Sequence, residues 1–202
     1  MLYSMTQHQL AHTLFPLGEM EKPEVRCIAQ EAGLPVAKKP DSQEICFVEN
    51  KDYAGFIHRY TGKELPEGEF VDAEGRVLGR HKGITHYTVG QRKGLGISFP
   101  QPMYVNAIDA KHNRIVLGPE GSQYASELIA GDLNWIAFDE PPAELHVQAK
   151  VRYQARPAAA RVLPDEKGKV RVLFDEPQRA VTPGQAVVFY QDDLVVGGGT
   201  IL

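Results

Sequence analysis

The chain has 202 residues, 43% of them hydrophobic and 24% charged, with a formal net charge of -4 at pH 7. That suffices for one large or two small globular domains, and a net negative charge excludes indiscriminate nucleic-acid binding. No apolar run reaches the roughly 20 residues of a membrane helix, and residues 1–6 have neither the basic start nor the apolar core of a signal peptide, so a cytoplasmic location is expected.

Helical signals occupy residues 6–62. Pro23 suits a first helical turn, Val25, Ile28, Ala29 and Ala32 repeat at helical spacing, and Gly33 followed by Pro35 ends the segment. Tyr53, Phe56, Ile57 and Tyr60 form a second apolar stripe, with Asn50 or Asp52 as N-cap and Gly62 as the stop. Residues 34–49 between them are irregular. Beyond Gly62 short apolar runs alternate with turn chemistry, and Asp72-Ala73-Glu74-Gly75 and Asp109-Ala110-Lys111-His112-Asn113 read as hairpin turns. Leu145, Val147, Ala149, Val151 and Tyr153 alternate with polar residues, which predicts a strand with one buried face and Tyr153 turned to the core. Further strands are expected over residues 170–174, 186–190 and 194–196. Glu176-Pro177 and Thr182-Pro183-Gly184 are expected breaks, and Gly197-Gly198-Gly199 a turn before the last strand. The fold class that follows is α+β, mostly β: a short N-terminal helical segment, a small β-rich central domain and a C-terminal closed antiparallel β-barrel. The boundaries are placed at residues 1–62, 63–121 and 122–202.

Charge is unevenly spread. Residues 75–108 hold Arg76, Arg80, Lys82, Arg92 and Lys93 without an acid, and residues 145–164 hold Lys150, Arg152, Arg156 and Arg161 likewise. Each window reads either as a phosphate-facing surface or as the solvated side of strands. Arg152-Tyr153 joins a fork-shaped phosphate donor to a ring that can stack on an unpaired base, although the alternation opposes that use of the tyrosine.

The two cysteines are Cys27 and Cys46. Their spacing and that of the histidines match no zinc pattern, so no metal is expected. Cys27, with Glu24 and Glu31 a turn away, reads as an incidental thiol. Cys46 lies in an irregular stretch after Lys38-Lys39, and nearby ammonium groups favour the thiolate that attacks sulfur donors. Flanked by Ile45 and Phe47, a lone cysteine is on local pattern alone more often a small buried hydrophobe. The glycine-rich segment 83–96 matches neither a P-loop nor G-x-G-x-x-G. His86 within it has no carboxylate in its own window and reads as structural.

Asp41-Ser42-Gln43-Glu44-Ile45-Cys46-Phe47 resembles the catalytic-cysteine motif of the tRNA 2-thiouridylases. His86-Tyr87-Thr88-Val89-Gly90-Gln91-Arg92-Lys93-Gly94-Leu95-Gly96 resembles that family's central-domain signature. Arg152-Tyr153-Gln154-Ala155-Arg156 and Thr182-Pro183-Gly184-Gln185-Ala186 follow in matching order, so the resemblance covers essentially the whole chain. It implies a sulfurtransferase in which ATP activates C2 of the wobble uridine of tRNA and a protein persulfide delivers sulfur. Cys46 matches the persulfide carrier, and Arg152, Tyr153 and Gln185 match tRNA contacts. The resemblance further implies a sulfur-relay protein or cysteine desulfurase as donor, and a second cysteine, in an N-terminal domain, able to form a disulfide with the carrier. Cys27 does not match that residue. The family's S-G-G-x-D-S motif for ATP does not occur here, so the chain is expected to be part of a longer protein, starting near the end of the ATP-binding domain and unable to adenylate on its own. A rival reading is a non-catalytic RNA-binding β-barrel module with a structural cysteine. RNA methyl transfer ranks last, because no G-x-G-x-G-type loop follows a strand.

Overall fold

The computed structural model describes residues 2–40, 45, 47, 48, 50, 52–63 and 66–202. Among these residues three α-helices, α1 (Gln7–Ala11), α2 (Lys22–Glu31) and α3 (Tyr53–Thr61), precede ten strands. Thr6 and Gln9 form a reciprocal capping box on α1, satisfying two otherwise orphaned backbone donors. Pro23 sits in the first turn of α2. The Asp52 carboxylate caps α3 by accepting from the Gly55 amide, and Gly62 ends it at φ 65, a left-handed conformation that glycine adopts without strain. None of the three helices has a buried residue, and Ile28 on the predicted apolar stripe of α2 is 45% exposed.

Strands β1 (Gly68–Val71), β2 (Val77–His81), β3 (Met103–Asp109) and β4 (Arg114–Pro119) form a sheet in the order β2-β1-β4-β3. Both outer pairs are antiparallel hairpins, closed at the predicted turns by Asp72 and Asp109, whose carboxylates accept from amides two to four residues on. The central β1–β4 pair is parallel and is reached through residues 82–102, which fold over one face of the sheet. That segment contributes Tyr87 and Leu95 to the core of Phe70, Val105, Ile115 and Leu117. It also hydrogen-bonds alongside β3, from the Gly90 amide to the Val105 carbonyl and from the Val105 amide to the Gln91 carbonyl.

The second sheet is a closed barrel in the order β10-β5-β8-β7-β6-β9, with every neighbouring pair antiparallel. Its strands are β5 (Tyr124–Trp135), β6 (Leu145–Lys150), β7 (Ala158–Pro164), β8 (Val170–Arg179), β9 (Ala186–Gln191) and β10 (Leu194–Ile201). Closure leaves no exposed sheet edge, and the alternation in β6 puts Leu145, Val147 and Ala149 inside with Val162, Val172, Val187 and Phe189. The chain is thus mostly β, with an N-terminal helical segment and a C-terminal closed antiparallel barrel.

Three local expectations are corrected. Gly197, Gly198 and Gly199 are not a turn but lie buried inside β10, paired to β9 and β5. They are needed because neighbours crowd the places where Cβ atoms would stand: Trp135 at 2.7 Å for Gly197, and backbone carbonyls at 2.6 Å for Gly198 and Gly199. Glu176-Pro177 does not interrupt β8; the pairing jumps from Ala125↔Gln178 to Glu127↔Leu173, so the proline sits in a bulge where β5 does not call for its missing N–H. Finally, β6 stops at Lys150. Val151 still points inward, but the chain then turns and Tyr153 is 92% exposed rather than facing the core.

Candidate nucleic-acid interface

The turn after β6 is anchored at one end by buried Val151 and closed by a hydrogen bond from the Ala155 amide to the Arg152 carbonyl. Anchoring both ends sends the intervening Arg152, Tyr153 and Gln154 outward. Gln185 arrives from the other side. The Thr182-Pro183-Gly184-Gln185 turn is closed from the Gln185 amide to the Thr182 carbonyl, and β10 holds it through the Ile201 amide to the Gln185 carbonyl at 2.8 Å. Because β6 pairs with β9, with Lys150 opposite Val188, the two turns lie side by side.

Arg152, Tyr153 and Gln185 consequently line one hollow of about 640 Å³, floored by Ala186, Val188 and Tyr190. Lys150, Gln154 and Tyr3 complete it, and among the described residues no acidic side chain lines it. The Lys150 ammonium stands 5.8 Å from the centre of the Tyr153 ring, which keeps the cation beside the aromatic face. A guanidinium and an ammonium attract phosphate, an exposed phenol ring offers a stacking platform, and a glutamine amide can donate to or accept from a base edge. Arg152 also lines a second hollow across the turn, with Arg156, Arg179 and Tyr124, but Asp175 and Glu176 close that one.

The two acid-free windows behave differently once folded. Arg76 pairs with Asp72 and Glu74, Arg80 with Glu67, and Arg161 with Glu144, all acids from outside the windows. Arg152, Arg156, Arg92 and Lys93 make no ion pair among the described residues, so their charge is available to a ligand.

Cys46 lies outside the described residues. Its neighbours Ile45 and Phe47 are exposed, Phe47 leaning on Phe56 of α3 at 5.2 Å between ring centres, while Val48 is buried. Cys27 is an exposed free thiol on α2, 3.8 Å from a Glu31 carboxylate oxygen. Beside the start of α3, a hollow of about 460 Å³ collects Asp52, His58, Lys63, Thr85 and His86. Burial and the Lys82 ammonium hold the His86 pKa below its ordinary value, against a smaller upward pull from Asp52. Asp52 is the carboxylate that the local sequence around His86 does not contain; only its place at the N-cap of α3 brings it near. The glycine-rich segment 83–96 runs on into β3 rather than into a helix, so it does not supply the amide-lined helix start that cradles ATP phosphates, and these residues do not fit an ATP site.

Fold and site together define a β protein of two sheets whose barrel carries an exposed, cationic and aromatic hollow suited to a polyanion with planar rings. Residues 125–201 match the family model described as an aminomethyltransferase beta-barrel domain. Residues 54–119 match a tRNA methyl transferase PRC-barrel domain, and residues 1–50 a tRNA methyl transferase HUP domain. A protein named tRNA-specific 2-thiouridylase MnmA from Acetivibrio thermocellus is 58% identical over 200 residues, covering 99% of this chain and 56% of the relative. Proteins of the same name from Thermoanaerobacter pseudethanolicus (numbered 1 there) and Clostridioides difficile are 56% and 52% identical, each over 99% of this chain and 55% of their own length. The chain belongs to the tRNA-specific 2-thiouridylase family, and it spans about half the length of the curated relatives it matches.

Proposed function

We propose that this chain is the sulfur-delivering and RNA-holding part of a tRNA uridine 2-sulfurtransferase. Arg152 and Tyr153, neighbours in sequence, and the distant Gln185 line one cationic hollow, free of acids among the described residues, and this is the observation that carries the reading. In it, Arg152 neutralises a backbone phosphate, Tyr153 stacks on an unpaired base and Gln185 hydrogen-bonds a base or ribose. The working division is a helical part with the cysteine loop over residues 1–62, a central part over 63–121 and the RNA-holding barrel over 122–202.

Cys46 is the sulfur carrier. Its thiolate attacks the outer sulfur of a persulfide on a donor protein, a sulfur-relay carrier or cysteine desulfurase; the new S–S bond forms as the donor's breaks, and the donor thiol departs. The outer sulfur of the resulting persulfide attacks C2 of the wobble uridine, adenylated beforehand with ATP by residues outside this chain, and displaces AMP; a second cysteine thiol outside this chain then attacks Cys46 Sγ, breaking the S–S bond so that 2-thiouridine leaves and a disulfide remains on Cys46. Exposed Ile45 and Phe47 support a loop open to a macromolecular partner.

The test is the intact mass of the chain after incubation with a cysteine desulfurase, cysteine and a relay carrier. One added, reducible sulfur atom in the unmodified chain and in Cys27→Ser, absent in Cys46→Ser, is the expected result. Sulfur retained in Cys46→Ser would refute the carrier role.

A further inference from the structure

We infer that Tyr3, pinned to the barrel by Asn134, is a further RNA-contacting wall of the hollow and stacks on an unpaired nucleotide, an inference that rests on reading the hollow as the tRNA contact. The 3-10 turn Leu2–Ser4 belongs by sequence to the helical end of the chain, yet it lies against β10 and β5. The Asn134 side-chain amide donates to the Tyr3 carbonyl at 2.7 Å and to the Met5 carbonyl at 3.0 Å. A few residues on, the Gln7 side-chain amide donates to the Ile136 carbonyl, so the strap is held to the barrel at both ends.

Across the β5–β10 pair, Asn134 faces Gly198, and Gly198 is the seat of the Tyr3 ring: a Cβ there would stand 2.6 Å from Tyr3 Cδ2. The absent side chain lets the ring settle at the edge of the hollow that Arg152, Tyr153 and Gln185 also line. Backbone anchoring alone would serve any side chain at position 3. An aromatic ring, half-buried and placed where a cation, a second phenol and an amide already meet, adds what a base requires, a flat apolar face with a polar edge. Asn134 is then a positioning residue: it touches no RNA and sets where the ring stands.

The full chain is titrated with a labelled anticodon stem-loop RNA bearing uridine at the wobble position, and with a fully paired duplex of equal length. Tyr3→Leu keeps apolar bulk but removes the ring, Tyr3→Phe keeps the ring, and Asn134→Leu removes the pin. Stacking of one base predicts roughly five-fold or greater weakening of stem-loop binding in Tyr3→Leu, with duplex binding nearly unchanged. Tyr3→Phe should keep stem-loop binding, and Asn134→Leu should weaken it without adding to Tyr3→Leu in the double variant. Unchanged stem-loop affinity in Tyr3→Leu, where Arg152→Ala does weaken it, overturns the role of Tyr3 and leaves the hollow's assignment standing. Unchanged affinity in Arg152→Ala as well, or no stem-loop binding by the unmodified chain, overturns both.

Discussion

His81 is 2% exposed and sits edge-on to both Phe70 and Tyr87, at 5.5 and 5.8 Å between ring centres. Its Nδ1 accepts from the Gly83 amide and its Nε2 donates to the Asn113 carbonyl, an arrangement that only the neutral ring with hydrogen on Nε2 can satisfy. Burial holds its pKa below the ordinary 6.5, outweighing the upward pull of the Asn113 hydrogen bond. The unfolded chain therefore takes up the proton first on acidification, so this contribution to stability is complete above pH 6.5, falls as the pH drops below it, and levels off beneath the folded pKa. Denaturant midpoints measured from pH 7.5 downward should decline with acid in the unmodified chain, and less steeply in a His81→Gln variant, which starts from a lower midpoint. Equal slopes would remove His81 as a source. At the same scale, Tyr153 shows how a single residue escapes its pattern: alternation holds through Val151 and fails two residues later, because the hydrogen bond from Ala155 to Arg152 ends the strand.

Among the elements, β10 departs most from its sequence pattern. Three successive glycines weaken an isolated strand, yet here each has its side-chain space occupied by a neighbour. Gly198→Ala drives a methyl into the Val187 carbonyl oxygen and the Tyr3 ring, and should cost about 1–3 kcal/mol, as overpacking does. Phe189→Ala, one strand over, removes a fully buried ring stacked on Trp135 at 5.7 Å and should cost about 3–5 kcal/mol. Equilibrium denaturation of the two variants checks both values. The capped helix α3 is the opposite case. Its start at Asp52 and end at Gly62 are chemical events within a few residues of chain, legible without any knowledge of what packs nearby.

For the whole molecule, a net charge of -4 conceals a local surplus of positive charge at one end of the barrel. Acids just outside the two windows pair with Arg76, Arg80 and Arg161, while Arg152 and Arg156 make no ion pair among the described residues. RNA binding should therefore weaken steeply with salt, and Arg152→Ala should reduce the slope of log affinity against log salt by about 0.7–0.9, the contribution of one phosphate contact. A slope unchanged by that substitution would place Arg152 away from the RNA backbone. The amino-acid order alone determined the caps and hairpin turns, the alternating face of β6, the mostly-β class, and the motifs around Cys46 and residues 86–96, because each depends on spacing within a short stretch of chain. Only the tertiary structure decided that Arg152, Tyr153 and Gln185 share a hollow with Tyr3, that Asp52 approaches His86, and that Gly197, Gly198 and Gly199 form a strand. Those outcomes depend on which distant segments the closed barrel and the β1–β4 pairing bring within a few ångströms, and no local period or propensity encodes that proximity.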